Sequence, residues 1–223
     1  MPEPKGRAAP YDTGIFLNCP FDESYKPIFD ALVFASFEFG YVPRCALEID
    51  DAAQVRIEKI MAIIRSCRLG VHDISRTELD AINQLPRFNM PFELGLFVGA
   101  ARFGSGDQGR KICLILDRER YRFQKFISDI AGQDIASHKD DPEEAIKALR
   151  KWFSSLPKSQ TPSKGALPGG AAVIKRYRAF QLDLPGILKG LDLDADEVTF
   201  ADYANIVSEW LVGPLRRLPA VLS

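Results

Sequence analysis

The chain has 223 residues, 46% of them hydrophobic and 26% charged, with a formal net charge of -1. That length supports one well-buried core with an appendage, and the composition is that of a globular protein rather than a disordered or fibrous one. Near-neutrality excludes a general attraction to nucleic acid or acidic membranes, so a partner must be recognised by a local site.

The lead over residues 1–13 has no apolar run that would serve as a secretory signal. It is expected to be disordered, and the chain is expected in the cytoplasm. The run 14-GIFLNCP-20 predicts a buried strand followed by a loop, and 24-SYKPIFDALVFASFEFG-40 predicts a helix closed by glycine. Asp30 and Glu38 interrupt that helix, which is also too short to span a bilayer, so no membrane contact is expected. A second strand is expected over 41-YVPRCAL-47, near an edge of the sheet because of Pro43.

Residues 53–68 place Val55, Ile57, Ile60, Met61 and Ile64 near helical spacing with charges between them, which predicts an amphipathic helix. A third strand, 69-LGVHDIS-75, carries His72, Asp73 and Ser75 toward its carboxyl end. The stretch 89-NMPFELGLFVGAARFG-104 predicts a helix with Asn89 as its N-cap and Glu93 in its first turn. Gly95 and Gly99 clear one stripe of that helix, which suits close approach to the sheet or to another helix. A buried strand at 111-KICLILD-117, a helix over 119–132, a short strand near 134–138 and a helix over 142–156 complete the alternation.

Five strands alternating with five helices imply a parallel sheet covered on both faces, a flavodoxin-like three-layer α/β sandwich over residues 14–153. Residues 154–172 are rich in Ser, Pro, Lys and Gly and predict a linker. A C-terminal helical extension over 173–223 follows, with helical segments at 171–191 and 200–218 and an apolar face at Ile206, Trp210 and Leu211. After Leu156 there are 8 basic and 7 acidic residues, a balance that makes nucleic acid an unexpected partner.

In such a sheet, ligands bind outside the carboxyl ends of the strands. That rule selects Asn18, Cys19, Phe21 and Asp22 after the first strand, and Arg44, Glu48 and Asp50 after the second. It also selects Asp73, Ser75 and Arg76 after the third, with Asn89 and Glu93 at the following helix. Glu93 has Leu96, Phe97 and Ala100 as same-face neighbours, so its carboxylate is either paired, protonated or against a ligand, or else it complements the helix dipole at a solvated edge. Asp73 suits a ligand-binding carboxylate or a turn-capping one. Arg44 and Arg76 are the candidates for phosphate contact. Four separated cysteines without a C-x-x-C read as reduced structural thiols, and with only His72 and His138 beside them no metal site is expected. No G-x-G-x-x-G or G-K-[ST] loop occurs, which argues against a dinucleotide fold of that type or a P-loop.

Three stretches, 15-IFLNCPF-21, 71-VHDIS-75 and 90-MPFELG-95, together resemble the nucleoside 2-deoxyribosyltransferase-like proteins and, more distantly, TIR-type NAD-cleaving domains. The resemblance covers about residues 14–153. Pro20 and Phe21 match the family's loop after the first strand, Asp73 its strand-end acid, and Glu93-Leu94-Gly95 its nucleophile motif. Cys19 stands where the family often has glycine, and the Trp-Cys pair usual before the TIR glutamate is absent. The resemblance implies cleavage or transfer at an N-glycosidic bond of a nucleoside, nucleotide or NAD-like substrate, with no separate cofactor. Glu93 would be the nucleophile, and Asp73 would position the sugar or base and hand a proton to the leaving base. Asn18, Phe21 and Asn89 would line the pocket, and the strand-end rule adds Asp22, Arg44, Ser75 and Arg76 as substrate-binding candidates. A role in antiphage or toxin systems is a further implication of the same likeness, and a homo-oligomer is expected separately. The alternatives are a nucleotide-sensing domain without turnover and an interaction domain that oligomerises through its C-terminal helices.

Overall fold

The structure, a computed structural model, describes residues 10–48, 55–79, 84–157 and 166–213. Most of the expected disordered lead, Asp50, residues 158–165 of the linker and the last ten residues lie outside the described residues.

Five strands form one all-parallel sheet: β1 Gly14–Asn18, β2 Val42–Arg44, β3 Leu69–Asp73, β4 Ile112–Asp117 and β5 Ile135–Ser137, in the order β2-β1-β3-β4-β5. The architecture is α/β and consistent with a flavodoxin-like sandwich. Pro43 lies in β2, which is an edge strand, where a residue lacking an N–H costs the sheet least.

Side chains alternate across the sheet with period two, and this sorts the interior into layers. Ile15 and Leu17 of β1, Cys19 just after it, and Leu69 and Val71 of β3 join α1 (Lys26–Glu38) and α4 (Pro142–Ser155) in the largest core cluster. Phe16 points the other way, into Ile60, Ile63 and Ile64 of α2 (Arg56–Ser66) and Phe97 of α3 (Asn89–Phe103). Gly70 faces this second layer. A Cβ there would stand 2.7 Å from His72 Nε2 and 2.9 Å from the Phe97 ring, so glycine is what lets α3 pack this closely on β3.

The C-terminal helices α5 (Gly170–Gly190) and α6 (Phe200–Val212) share the main core. Phe34 of α1 packs against Tyr177, Phe180 and Trp210 with ring centroids at 5.3, 5.4 and 6.0 Å. Arg176 Nε stands 2.7 Å from Glu38 Oε1, and the Glu38 side chain is only 3% exposed. Of the face expected at Ile206, Trp210 and Leu211, the first two are turned inward onto the core that α1 shares, and Leu211 packs partly buried against it. Gly213 ends α6 at φ 107, and the expected continuation to 218 lies outside the described residues.

Three expectations need correction. Residues 119–132 form no α-helix; the segment makes two 3-10 turns, Arg122–Lys125 and Ser128–Ile130. Tyr121 takes a left-handed conformation at φ 63, and the Arg122 guanidinium reaches back to the ends of β3 and β4, which holds the backbone out of a regular helix. Asn89 is the first helical residue of α3 rather than its cap: Phe88 holds the cap position, without a side-chain cap bond. Gly95 and Gly99 do not face the sheet, because a Cβ at either would meet nothing within 4 Å among the described residues.

Because α5 and α6 share one core with the sheet, Phe180→Ala should cost roughly 3–5 kcal/mol and lower a single cooperative melting transition. Circular dichroism that resolves two independent transitions, only one of them shifted, would show instead that the extension folds by itself.

Candidate functional site

Strand order reverses between β1 and β3: one leads to β2 on one side, the other to β4 on the opposite side. The crevice outside their carboxyl ends is the place where such a sheet binds ligands. Asn18 closes β1 there and is 1% exposed. Its Nδ2 donates to His72 Nδ1 at 3.0 Å and to the Met90 carbonyl at 2.9 Å, so one amide joins β1, β3 and the first turn of α3. The Met90 carbonyl can only accept, which sets the orientation of the amide, and His72 Nδ1 is then the acceptor of a neutral ring protonated at Nε2. The ring lies between Phe16 and Phe97, at centroid distances of 5.7 and 4.8 Å. Burial, with Lys111 adding to it, pushes the His72 pKa down to about 3, so this is a neutral packing histidine.

Glu93 lies one turn into α3, not in its first turn, and the residue is 5% exposed. Among the described residues its carboxylate has no hydrogen bond or ion pair. Burial raises its pKa to about 7, and Arg56 at the start of α2 opposes that shift through space. An acid serving the helix dipole would sit in the first turn in water and would be easier to ionise. Glu93 has the opposite environment. It lies four residues before Phe97, above the ring that packs on His72 and Gly70.

Asp73 ends β3 on the other face. Its Oδ2 accepts from Tyr25 Oη at 2.8 Å and lies 3.0 Å from His138 Nε2, while Oδ1 accepts from the Ser75 amide at 2.8 Å. The side chains of Asp73 and His138 are both 0% exposed. His138 Nδ1 accepts from the Asp140 amide at 3.0 Å, which fixes the ring so that its Nε2 edge lies against Asp73. The carboxylate is thus engaged by three partners and walled from solvent. Successive residues of β3 point to opposite faces: Asp73 takes the face that α1 covers, whereas Glu93 comes from α3, which packs on the face of Phe16 and His72. Cys19 lies in the same buried cluster, where burial and the Asp73 charge hold its thiol well above the ordinary range, unsuited to nucleophilic attack.

The remaining candidates fall into different surroundings. Arg44 Nε donates to both oxygens of Glu48 at 2.7 Å, so that pair is spent on the β2 loop rather than open to phosphate. Asp22 Oδ1 accepts from Ser24 Oγ at 2.6 Å and the Tyr25 amide at 3.0 Å, which shapes the entry to α1. Arg76 Nη2 donates to the same Ser24 hydroxyl at 3.1 Å. Ser75 Oγ and Asn18 Oδ1 are buried without a hydrogen-bond partner among the described residues. Asn89 is exposed at the start of α3. Phe21 and Asp22 line a cavity of about 210 Å³ shared with α6, and neither Glu93 nor Asp73 belongs to its lining.

Four residues enter the site's construction without having been selected from the sequence: Tyr25, His138, Arg56 and Arg122. Arg122 donates to Asp117 Oδ1 and to the carbonyls of Ile74 and Ser75, each at 2.8 Å, and pins the loop that follows β3. Among the described residues no group of three or more His, Cys, Asp or Glu side chains is arranged to hold a metal ion, all four cysteines are free, and no helix is long and apolar enough to cross a membrane. Comparison with protein-family models, curated proteins and solved structures found no match.

The raised pKa of Glu93 makes stability depend on pH. Below the ordinary value of 4.5 both folded and unfolded states are protonated and nothing is lost; between 4.5 and about 7 only the unfolded state ionises, so stability falls as pH rises. Glu93→Gln should therefore melt several degrees higher than the parent at pH 8, from a penalty of at most ~3 kcal/mol. The two proteins should melt alike near pH 4, and a lower melting temperature for the variant at pH 8 would show that the carboxylate is favourably paired.

Proposed function

We propose that the chain cleaves or transfers at the N-glycosidic bond of a nucleoside, nucleotide or NAD-like ligand, with Glu93 as the nucleophile. The observation that carries this reading is a buried carboxylate without a hydrogen bond or ion pair among the described residues, on the helix that begins at the switch point of the sheet. Holding a carboxylate in that state is unfavourable to folding, and a bound sugar is a chemical reason for it to persist. The resemblance of 90-MPFELG-95 to a glutamate nucleophile motif supports the same role.

In the reaction, an ionised Glu93 oxygen approaches the anomeric carbon as the bond to the base nitrogen breaks, and the bonding pair leaves with the base. A glycosyl ester forms, and water or an acceptor base then displaces Glu93 from the same carbon. Asn18 Oδ1, lacking a donor among the described residues, is an acceptor for a sugar hydroxyl. Asp73 acts at one remove: with Tyr25, His138 and the Ser75 amide occupying its oxygens, it positions the strand end and hands no proton to the base. A defence role belongs to the same proposal through the resemblance alone, and a homo-oligomeric assembly is kept as part of it.

The second reading is a nucleotide-sensing domain without turnover, and the engagement of Asp73 favours it, since the acid expected to protonate the departing base is already committed. Chromatography of purified protein with NAD and a nucleoside panel separates the two. Turnover should fall at least ~100-fold in Glu93→Gln, and the parent's rate should rise with pH through about 7 as the carboxylate ionises. Base release equal in both proteins would remove Glu93 from the mechanism, and tight binding with the ligand recovered intact would favour sensing.

A further inference from the structure

The cavity between the β1–α1 loop and the start of α6 is a site in its own right. Its walls are aromatic: Phe21 meets Phe29 edge-on with centroids 5.4 Å apart, Phe29 meets Phe200 at 5.9 Å, and Tyr203 closes one side. At about 210 Å³ it exceeds the roughly 150 Å³ at which an apolar cavity accepts benzene, and it is large enough for a fused pair of rings. A third of the lining comes from the C-terminal segment, through Val198, Thr199, Phe200 and Tyr203, so the extension closes a pocket that the sheet domain alone would leave open on that side.

The polar lining sets the charge of an occupant. Asp22, Glu23 and Asp30 contribute three carboxylates against one ammonium, that of Lys26. Lys26 Nζ is 2.7 Å from Asp30 Oδ2, and Arg76 Nε stands 4.0 Å from Asp22 Oδ2. Glu23, exposed at the rim, has no ion pair among the described residues and supplies the unbalanced negative charge. The positive end of α6 would favour an anion, but it is already answered: Asp202 Oδ2 accepts from the Thr199 amide at 3.0 Å and from its hydroxyl at 2.6 Å. Lys26 Nζ also lies 5.3 Å from the Tyr203 ring centroid, so a cation already rests on one wall of this cavity.

We propose that this cavity binds a flat aromatic ligand carrying an ammonium group, at a site separate from Glu93. The rings stack among Phe21, Phe29 and Phe200, and the ammonium turns toward Glu23 at the rim. Because Phe21 lies in the loop that begins directly after Asn18, and Asn18 holds the first turn of α3, occupancy here bears on the backbone that carries Glu93.

Tryptamine, indole and indole-3-acetate serve as probes in calorimetric titrations of the full chain. Tryptamine should bind, and indole-3-acetate should bind roughly ten-fold more weakly or not at all because its charge repels the rim. Val198→Trp, which fills the space without removing a contact, should abolish tryptamine binding. Glu23→Lys, an exposed change that leaves the core intact, should erase the preference for the ammonium probe. Glu93→Gln should leave tryptamine binding within two-fold of the parent, whatever its effect on base release. Absence of tryptamine binding, binding untouched by Val198→Trp, equal binding of both charged probes, or loss of binding in Glu93→Gln would each overturn the proposal.

Discussion

The side-chain amide of Asn18 donates two hydrogen bonds inside the protein, to His72 and to the Met90 carbonyl, and the geometry of the switch point depends on them. Removing such a donor from a buried position leaves its acceptors unsatisfied, at a cost of about 1–3 kcal/mol. The two bonds also act on neighbours. The bond to Nδ1 settles which nitrogen of His72 carries the proton, and the ring so oriented fills the space above Gly70 beneath Phe97. Phe97 in turn sets the height of α3 over the sheet, and Glu93 is one turn above it. A chain of contacts thus runs from a strand-end amide to the carboxylate proposed to react.

The period-two alternation of β1 and β3 divides the polar residues at their ends between two faces. Asn18 and His72 belong with α2 and α3; Cys19 and Asp73 belong with α1, where Tyr25 and His138 meet them. The two carboxylates consequently live under different rules. Asp73 has three partners and a structural task at the strand end. Glu93 has burial without a hydrogen-bond or ion-pair partner among the described residues, which leaves its charge energetically exposed to whatever enters the crevice. Perturbed acids of this second kind concentrate where chemistry or binding occurs, whereas fully bonded ones are as often structural.

Much of the sheet was legible because buried parallel strands are written as short apolar runs: 14-GIFLN-18 and 112-ICLILD-117 coincide with strands, and Pro43 pointed to the edge that β2 occupies. The helix expected over 119–132 had the correct apolar spacing, with Phe123, Ile127 and Ile130 all packed into the layer beside β4. Spacing does not report that Arg122 will turn inward to bond Asp117 and two carbonyls, and that tertiary demand decided the backbone. Asp73 and Glu93 were grouped because both follow the same strand. Counting by twos from Leu17 and Phe16 would have separated the faces, but the partners of Asp73 lie 48 residues upstream in Tyr25 and, in His138, beyond β5, where no local pattern points. The C-terminal helices were recognised as helices, yet their apolar faces carry no mark of whether they seek a second copy or, as here, Phe34 of their own chain.

The account stands on the ionisation state of one carboxylate. Nuclear magnetic resonance of protein labelled at the glutamate side-chain carboxyl carbon, with Glu93→Gln identifying the resonance, follows that group directly as pH is changed. The account predicts a midpoint near 7, well above the ordinary 4.5. A midpoint at or below 4.5 would mean that Glu93 is solvated or firmly paired, and would contradict both the buried unpartnered carboxylate and the chemistry built on it.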